Sequence, residues 1–149
     1  MEQEKILIQL AGPEDSRAIY DLRYEPSVNA LSDNQSLVSF EAHDAWFQKQ
    51  YFRDGGSQCF VLRVDLGLVG YCRFDKNNKN EFNISIAISS KFRGMGLGQK
   101  LLRESMIYMG HDKIFVSGIL KNNPASLKLF KNNGFKIINE DERQFFLIG

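Results

Sequence analysis

A two-residue alternation that runs straight into three spaced glycines is the feature that leaves this chain the fewest folds. In EFNISIAI (residues 81–88), Phe82, Ile84, Ile86 and Ile88 fall on one side and Glu81, Asn83, Ser85 and Ala87 on the other, the period of a half-buried strand. Just beyond it, SSKFRGMGLGQKLL carries Gly94, Gly96 and Gly98 at alternate positions behind Arg93. Leu97, Leu101, Leu102, Met106 and Met109 then recur at helical spacing as far as Gly110, a natural helix stop. A glycine inside or beside a helix costs about 1 kcal/mol relative to alanine, so three of them require a geometric or a chemical reason. A glycine-rich turn feeding a helix N-terminus offers unpaired backbone N–H groups and partial positive charge to a phosphate, and it lets the ligand approach the backbone. Arg93 adds a full charge at the rim. The bland alternative is a tight strand-to-helix turn with close packing. Neither the nucleotide P-loop pattern nor the dinucleotide G-x-G-x-x-G spacing is matched.

The remaining segments set this strand and helix in a mixed α/β order. KILIQL (5–10) reads as a strand, and Gly12-Pro13-Glu14-Asp15 opens a helix running to about Tyr24. Glu25 to Val38 is a polar connection of the length used for binding loops, and is expected to be a substrate loop. Ser39 caps a second helix, FEAHDAWFQKQYF. QCFVLRVD and LVGYCRFD form a hairpin across Asp65 to Gly67, and the alternating strand follows. After the glycine segment and its helix come KIFVSGIL as a strand, a short helix from about Pro124 to Asn132, and a closing hairpin, FKIINE and RQFFLIG. The order predicts one domain over residues 1–149: a sheet of about seven strands with about four helices.

Composition narrows the function classes. With 19 basic and 18 acidic side chains the net charge is +1, which supplies no electrostatic footprint for nucleic acid. No apolar run approaches the ~20 residues that cross a bilayer, and the N-terminus lacks a signal-peptide pattern; a cytoplasmic protein without membrane partners is expected. Cys59 and Cys72 lack C-x-x-C spacing, and His43 and His111 lack ligand-spaced partners, so two buried free thiols and no metal centre are expected.

The run Arg93-Gly94-Met95-Gly96-Leu97-Gly98 resembles the pyrophosphate-binding signature of the GNAT superfamily of acyl-CoA-dependent N-acyltransferases. Asn123, Ser126, Phe130 and Gly134-Phe135 fall where that superfamily has its N-x-x-(A/S)-x-x-x-Y-x-x-x-G-F run, and the element order from Ile6 to Ile148 is similar. The resemblance implies a mainly antiparallel sheet whose fourth and fifth strands splay apart around acetyl-CoA. It implies pantetheine contacts from the main chain of Ile86 and Ile88, and pyrophosphate contacts from residues 93–98. Asn123, Ser126 and Phe130 lie on the same cofactor side. It also implies direct attack by an amine on the thioester, with the oxyanion held by a backbone N–H near Ile88, the kind of donor worth ~2.7–4 kcal/mol.

EAHDAWF (41–47), with YCRFD and NISIAI, further resembles acetyltransferases that modify the free amine of nucleotide-linked aminosugars in pseudaminic- and legionaminic-type pathways. That likeness implies a sugar-nucleotide pocket drawing on His43, Trp46, Phe47, Arg73, Asn83 and Ser85. Aromatic residues at helical spacing are equally well explained as core, whereas a core histidine must find partners for both ring nitrogens. Two departures matter. Phe130 stands where the superfamily has a tyrosine acid, and Asn83 stands where the aminosugar group is often acidic. Glu81, on the same polar face, is then the nearest candidate base, with Asp75 and His43 behind it. Acetylation of a protein N-terminus or another small amine, and an acyl-CoA-binding module without turnover, are the competing readings. A homodimer is left open.

Overall fold

The computed structural model describes residues 4–53 and 55–149. The chain runs β1 (Ile6–Leu10), α1 (Ser16–Arg23), α2 (Pro26–Asn29), α3 (Phe40–Gln48), β2 (Gln58–Val64), β3 (Gly67–Lys76), β4 (Glu81–Ile88), α4 (Leu97–Met109), β5 (Ile114–Leu120), α5 (Pro124–Asn132), β6 (Lys136–Glu140) and β7 (Gln144–Ile148). One seven-stranded sheet has the order β1-β2-β3-β4-β5-β7-β6. All pairs are antiparallel except β4 with β5. The exception follows from the chain path: α4 carries the chain back over the sheet, and only such a crossover lets successive strands run parallel.

The sheet separates two cores. On one face the even-numbered side chains of β4 join Phe60, Phe74, Leu101, Leu102, Phe130 and Leu147 under α4 and α5. On the other, Ile19, Leu22, Phe47, Val61 and Tyr71 pack beneath α1 and α3, and Ala87 leans on them. Alternation in β4 thus serves both faces: its odd positions are polar at Glu81, Asn83 and Ser85 and apolar only at Ala87, where the second core begins.

Three boundaries differ from the sequence reading. The first helix is split, with a 3-10 turn over Pro13–Asp15 before α1. The stretch after Phe40 is α-helical only to Gln48 and then widens into a π-helical turn over Lys49–Arg53. The polar connection contains the short helix α2, whose first turn Pro26 pre-sets. The closing strands do form a hairpin, but β7 inserts between β5 and β6, so the last strand in sequence is not the sheet edge. Cys59 and Cys72 are free and buried.

Candidate active site

The central feature is a wedge between β4 and β5. These strands pair only through Glu81–Ile114, Phe82–Phe115 and Asn83–Val116. The buried Ser117 hydroxyl then donates to the Ile84 carbonyl at 2.9 Å, and no further pairing joins the two strands. On its other edge β4 stays paired with β3 as far as Gly70–Ile88, and the Ser89 N–H donates to the Val69 carbonyl at 2.8 Å. Backbone groups alternate along a strand. With Ser89 turned toward β3, those of Ile84, Ile86 and Ile88 turn toward the wedge. The Ile84 carbonyl is taken by Ser117, and the Ile88 carbonyl accepts from Arg93 Nε at 3.0 Å. Both main-chain groups of Ile86 and the N–H of Ile88 therefore face the opening.

The glycine segment closes the wide end of the wedge. Gly94 and Gly96 have φ of 77° and 76°, and Gly96 is the N-cap of α4 with no side-chain cap. A Cβ at either would meet nothing within 4 Å, so left-handed backbone conformation, not crowding, is what requires glycine there. Gly98 differs. It lies within α4, and a Cβ on it would sit 3.6 Å from Leu129 Cδ2, an ordinary contact. The first bond from the helix back to this cap runs from the Lys100 N–H to the Gly96 carbonyl at 3.2 Å. The N–H groups of Leu97, Gly98 and Gln99 precede it and have no intrahelical partner. Leu97 buries its side chain in the core and offers only its main chain, whereas Met95 stands exposed at the loop tip.

Opposite, Asn123 Oδ1 accepts from the Ser126 N–H at 3.2 Å, so Asn123 caps α5. Ser126 and the buried ring of Phe130 border the cleft from that helix, and Phe130 meets Phe135 edge-on at 5.0 Å. The cleft, of about 1260 Å³, passes from these residues through the wedge to the other face of the sheet. Unpaired N–H groups at one end and a free strand edge along its length suit an anionic group followed by an extended amide chain.

On that other face the cleft is lined by Tyr71, Arg73, Glu81, Asn83 and Ser85, with Arg23 and residues 31–34 as an outer wall. The Arg73 guanidinium lies 5.1 Å from the Trp46 ring centroid and 5.9 Å from that of Tyr71. Among the described residues its Nε is buried with no hydrogen-bond partner, and the anion it pairs with, Asp75 Oδ2, is 3.9 Å away. Asp75 is itself engaged, accepting from the Tyr51 hydroxyl at 2.5 Å. Glu81 accepts from Asn77 Nδ2 at 3.0 Å. Burial pushes the phenol of Tyr71 up, against the pull of the Arg73 charge. Burial pushes the His43 imidazole down, with Arg73 adding to the effect, so that it is neutral near pH 7.

The model of the acetyltransferase (GNAT) family matches residues 17–135. The chain belongs to that family. No match was found among curated protein sequences. Among solved structures, the GNAT protein is similar to yncA from Salmonella typhimurium, solved with its cofactor acetyl-CoA. The TM-score is 0.81 at 20% identity, over 97% of this chain and 93% of that one. It is also similar to a ribosomal-protein-alanine N-acetyltransferase from Brucella melitensis, with TM-score 0.80 at 23% identity over 96% and 98% of the two chains. The N-acetyltransferase PseH from Campylobacter jejuni gives 0.68 at 19% identity over 97% and 96%. At these identities the likeness is one of fold.

Within this GNAT fold the residues singled out from sequence separate into three groups. Ile86, Ile88, Arg93, Gly94, Gly96, Leu97, Gly98, Asn123, Ser126 and Phe130 all border one end of the cleft. Arg73, Glu81, Asn83 and Ser85 border the other. The helix α3 residues His43, Trp46 and Phe47 are not in the cleft lining. Phe47 is fully buried in the second core. His43 is buried and stacks on Phe47 at 5.9 Å, with Nε2 unpartnered. Trp46 is part-exposed but backs the Arg73 guanidinium, with no place in the cleft wall. Residues three and four apart share a helix face, and here that face packs on the second core through His43 and Phe47 and on the Arg73 guanidinium through Trp46. Three contributors escaped the sequence reading. Tyr71 was available from strand periodicity, two residues before Arg73 on the same face. Ser117 was the one hydroxyl in an otherwise apolar strand. Arg23, bonded to Asn29 Oδ1 at 2.8 Å and the Asn34 carbonyl at 2.6 Å, carried no local signal.

Proposed function

We propose that this GNAT protein is an acetyl-CoA-dependent N-acetyltransferase whose acceptor is the primary amine of a nucleotide-linked aminosugar. Arg73 carries the reading: a guanidinium beside the Trp46 and Tyr71 rings in the acceptor half of the cleft, with a buried N–H donor that no group among the described residues satisfies. Such a group favours an anion, and a phosphate matches its planar donor set. The surrounding charge agrees. Arg23, Arg73 and Lys79 line this half against Glu81 and Asp33, and Asp33 is paired with Arg143 at 3.2 Å. A polycationic amine would meet the wrong sign, whereas an acceptor with a diphosphate would not.

The α4 N–H groups of Leu97, Gly98 and Gln99, with Arg93 at the rim, hold the pyrophosphate of the donor. The N–H of Ile88, next to the α4 entrance, orients the pantetheine arm along the strand edge. Bound acetyl-CoA supplies the activated thioester carbonyl. The Ile86 N–H, deeper in the wedge, is a preorganised donor for charge on that carbonyl oxygen, and the even-numbered side chains of β4, together with Phe130, exclude water. On the acceptor face the Glu81 carboxylate takes the first proton of the incoming ammonium by way of water, and the second is lost to water or to the departing thiolate as the amide forms. Phe130 gives no proton, and a thiol of pKa about 8.5 leaves as thiolate at modest cost near neutral pH.

The test is release of free thiol from acetyl-CoA with a panel of 4-amino-sugar nucleotides, polyamines and N-terminal peptides. Turnover confined to the sugar nucleotides supports the proposal. Turnover on peptides or polyamines alone, or tight acetyl-CoA binding with no turnover anywhere, overturns it.

A further inference from the structure

Glu25 lies outside the machinery described so far, yet its carboxylate joins the two halves of the cleft. Oε1 accepts from the Ser89 hydroxyl at 2.9 Å, and Oε2 accepts from the Ser90 N–H at 3.2 Å and the Ser27 hydroxyl at 3.1 Å. Ser89 and Ser90 are the first residues after β4 and lead through a short 3-10 turn to Arg93 and the α4 entrance. On its own side, the Glu25 carbonyl accepts from the N–H groups of Val28 and Asn29, both at 2.9 Å. Those bonds start α2 and so fix the wall formed by Val28 and residues 31–34. No other side chain among the described residues hydrogen-bonds α2 or its flanks to the β4–α4 connection.

We propose that Glu25 is a positioning residue that transmits donor binding at the α4 entrance to the acceptor wall, so that bound acetyl-CoA further steadies the wall. The inference rests on the reading of the α4 entrance as the acetyl-CoA site. The route is short. Ligand bound to the N–H groups of Leu97 to Gln99 and to the end of β4 orders residues 89–96. Two of these residues hold the Glu25 carboxylate, and the Glu25 carbonyl holds α2. Burial works against the charged form of Glu25, but the bonds from Ser89, Ser90 and Ser27 and the nearby Arg93 charge outweigh it and hold the carboxyl below its ordinary value. The latch is therefore an ionised, multiply bonded carboxylate at neutral pH, the strong form of such a contact. Coupling of this kind is reciprocal: bound acceptor must tighten acetyl-CoA by the factor with which acetyl-CoA tightens acceptor.

The experiment is amide hydrogen exchange with and without saturating acetyl-CoA, on the wild-type protein, Glu25→Ala and Ser89→Ala, and it needs no acceptor. In the wild type, acetyl-CoA is expected to slow exchange at least fivefold both in residues 94–99 and in residues 26–34. In both variants residues 94–99 are still protected, whereas protection of residues 26–34 is lost in Glu25→Ala and reduced in Ser89→Ala, which keeps the Ser90 N–H bond to the carboxylate. Ser89→Ala removes one bond and leaves Glu25 in place, so it reads the same link if Glu25→Ala does not fold. Protection at 94–99 without protection at 26–34 in the wild type overturns the latch alone. Equal protection of 26–34 in the variants also overturns it. Absence of protection at 94–99 in the wild type overturns the acetyl-CoA reading and the latch together.

Discussion

Ser117 and Ile84 meet at the apex of the wedge: the buried hydroxyl of one donates to the main-chain carbonyl of the other at 2.9 Å, and beyond that bond β4 and β5 are no longer paired. The bond satisfies a carbonyl that the parting of the strands would otherwise orphan in the interior. Ser117→Ala leaves that carbonyl buried and unpaired, which costs ~1–3 kcal/mol. Urea denaturation should show a lower midpoint with an unchanged slope, and titration calorimetry a weaker acetyl-CoA affinity. Unchanged values on both would remove the apex bond from the account.

Two glycines of the α4 entrance, Gly96 and Gly98, should respond differently to alanine. At Gly96, φ of 76° places an L side chain in the left-handed region, at a cost of ~1–2 kcal/mol. Gly98→Ala adds a Cβ at ordinary contact distance inside a helix and should stabilise by about 0.5–1 kcal/mol. Thermal melts of the two variants should therefore move in opposite directions. Acetyl-CoA affinity should stay within threefold of wild type in Gly98→Ala.

His43→Phe tests whether the histidine is packing or chemistry. Burial, then the Arg73 charge, keeps the folded imidazole below its ordinary pKa, while the unfolded chain takes up a proton near pH 6.5. The unfolded state therefore binds more protons on acidification. The contribution of this group is complete above about pH 6.5 and is lost as pH falls through the folded value. Unfolding free energies measured from pH 7 to pH 5 should fall more steeply for the wild type than for His43→Phe. The kcat/KM of the variant should be unchanged, because the imidazole is packed among rings and borders no part of the cleft.

These positions also show how far the sequence was legible. The alternation of β4 and the glycines at 94 and 96 marked the strand and the helix entrance, because each rests on local geometry that a few consecutive residues determine, whereas the wedge came from the resemblance to the GNAT superfamily. His43, Trp46 and Phe47 were ambiguous, since helical periodicity states that they share a face without stating whether that face meets a core or a cleft. The place of β7 between β5 and β6, and the bonds from Glu25 to Ser89 and Ser90, join residues far apart in the chain. No local pattern of residue types encodes them.

Proton handling should be asymmetric. Phe130 is buried against Phe135 and cannot donate. Phe130→Tyr is expected to change kcat by less than tenfold, below the ~10²–10⁴ of a working acid. Glu81→Gln should lower kcat/KM by more than tenfold with acetyl-CoA affinity unaltered. Steady-state kinetics alongside calorimetry separates the two effects, and a reversed order would assign the limiting proton transfer to the leaving group.

Arg73 is expected to read the phosphate of the acceptor, and one comparison tests this. The kcat/KM for a nucleotide-linked 4-amino-sugar is measured against that for the same sugar without its nucleotide diphosphate, in the wild type and in Arg73→Ala. The wild type should prefer the phosphorylated acceptor by at least tenfold, about 1.4 kcal/mol, and Arg73→Ala should lose most of that preference while binding acetyl-CoA within threefold of wild type. Equal rates on the two acceptors in the wild type, or a preference that survives in Arg73→Ala, would contradict it.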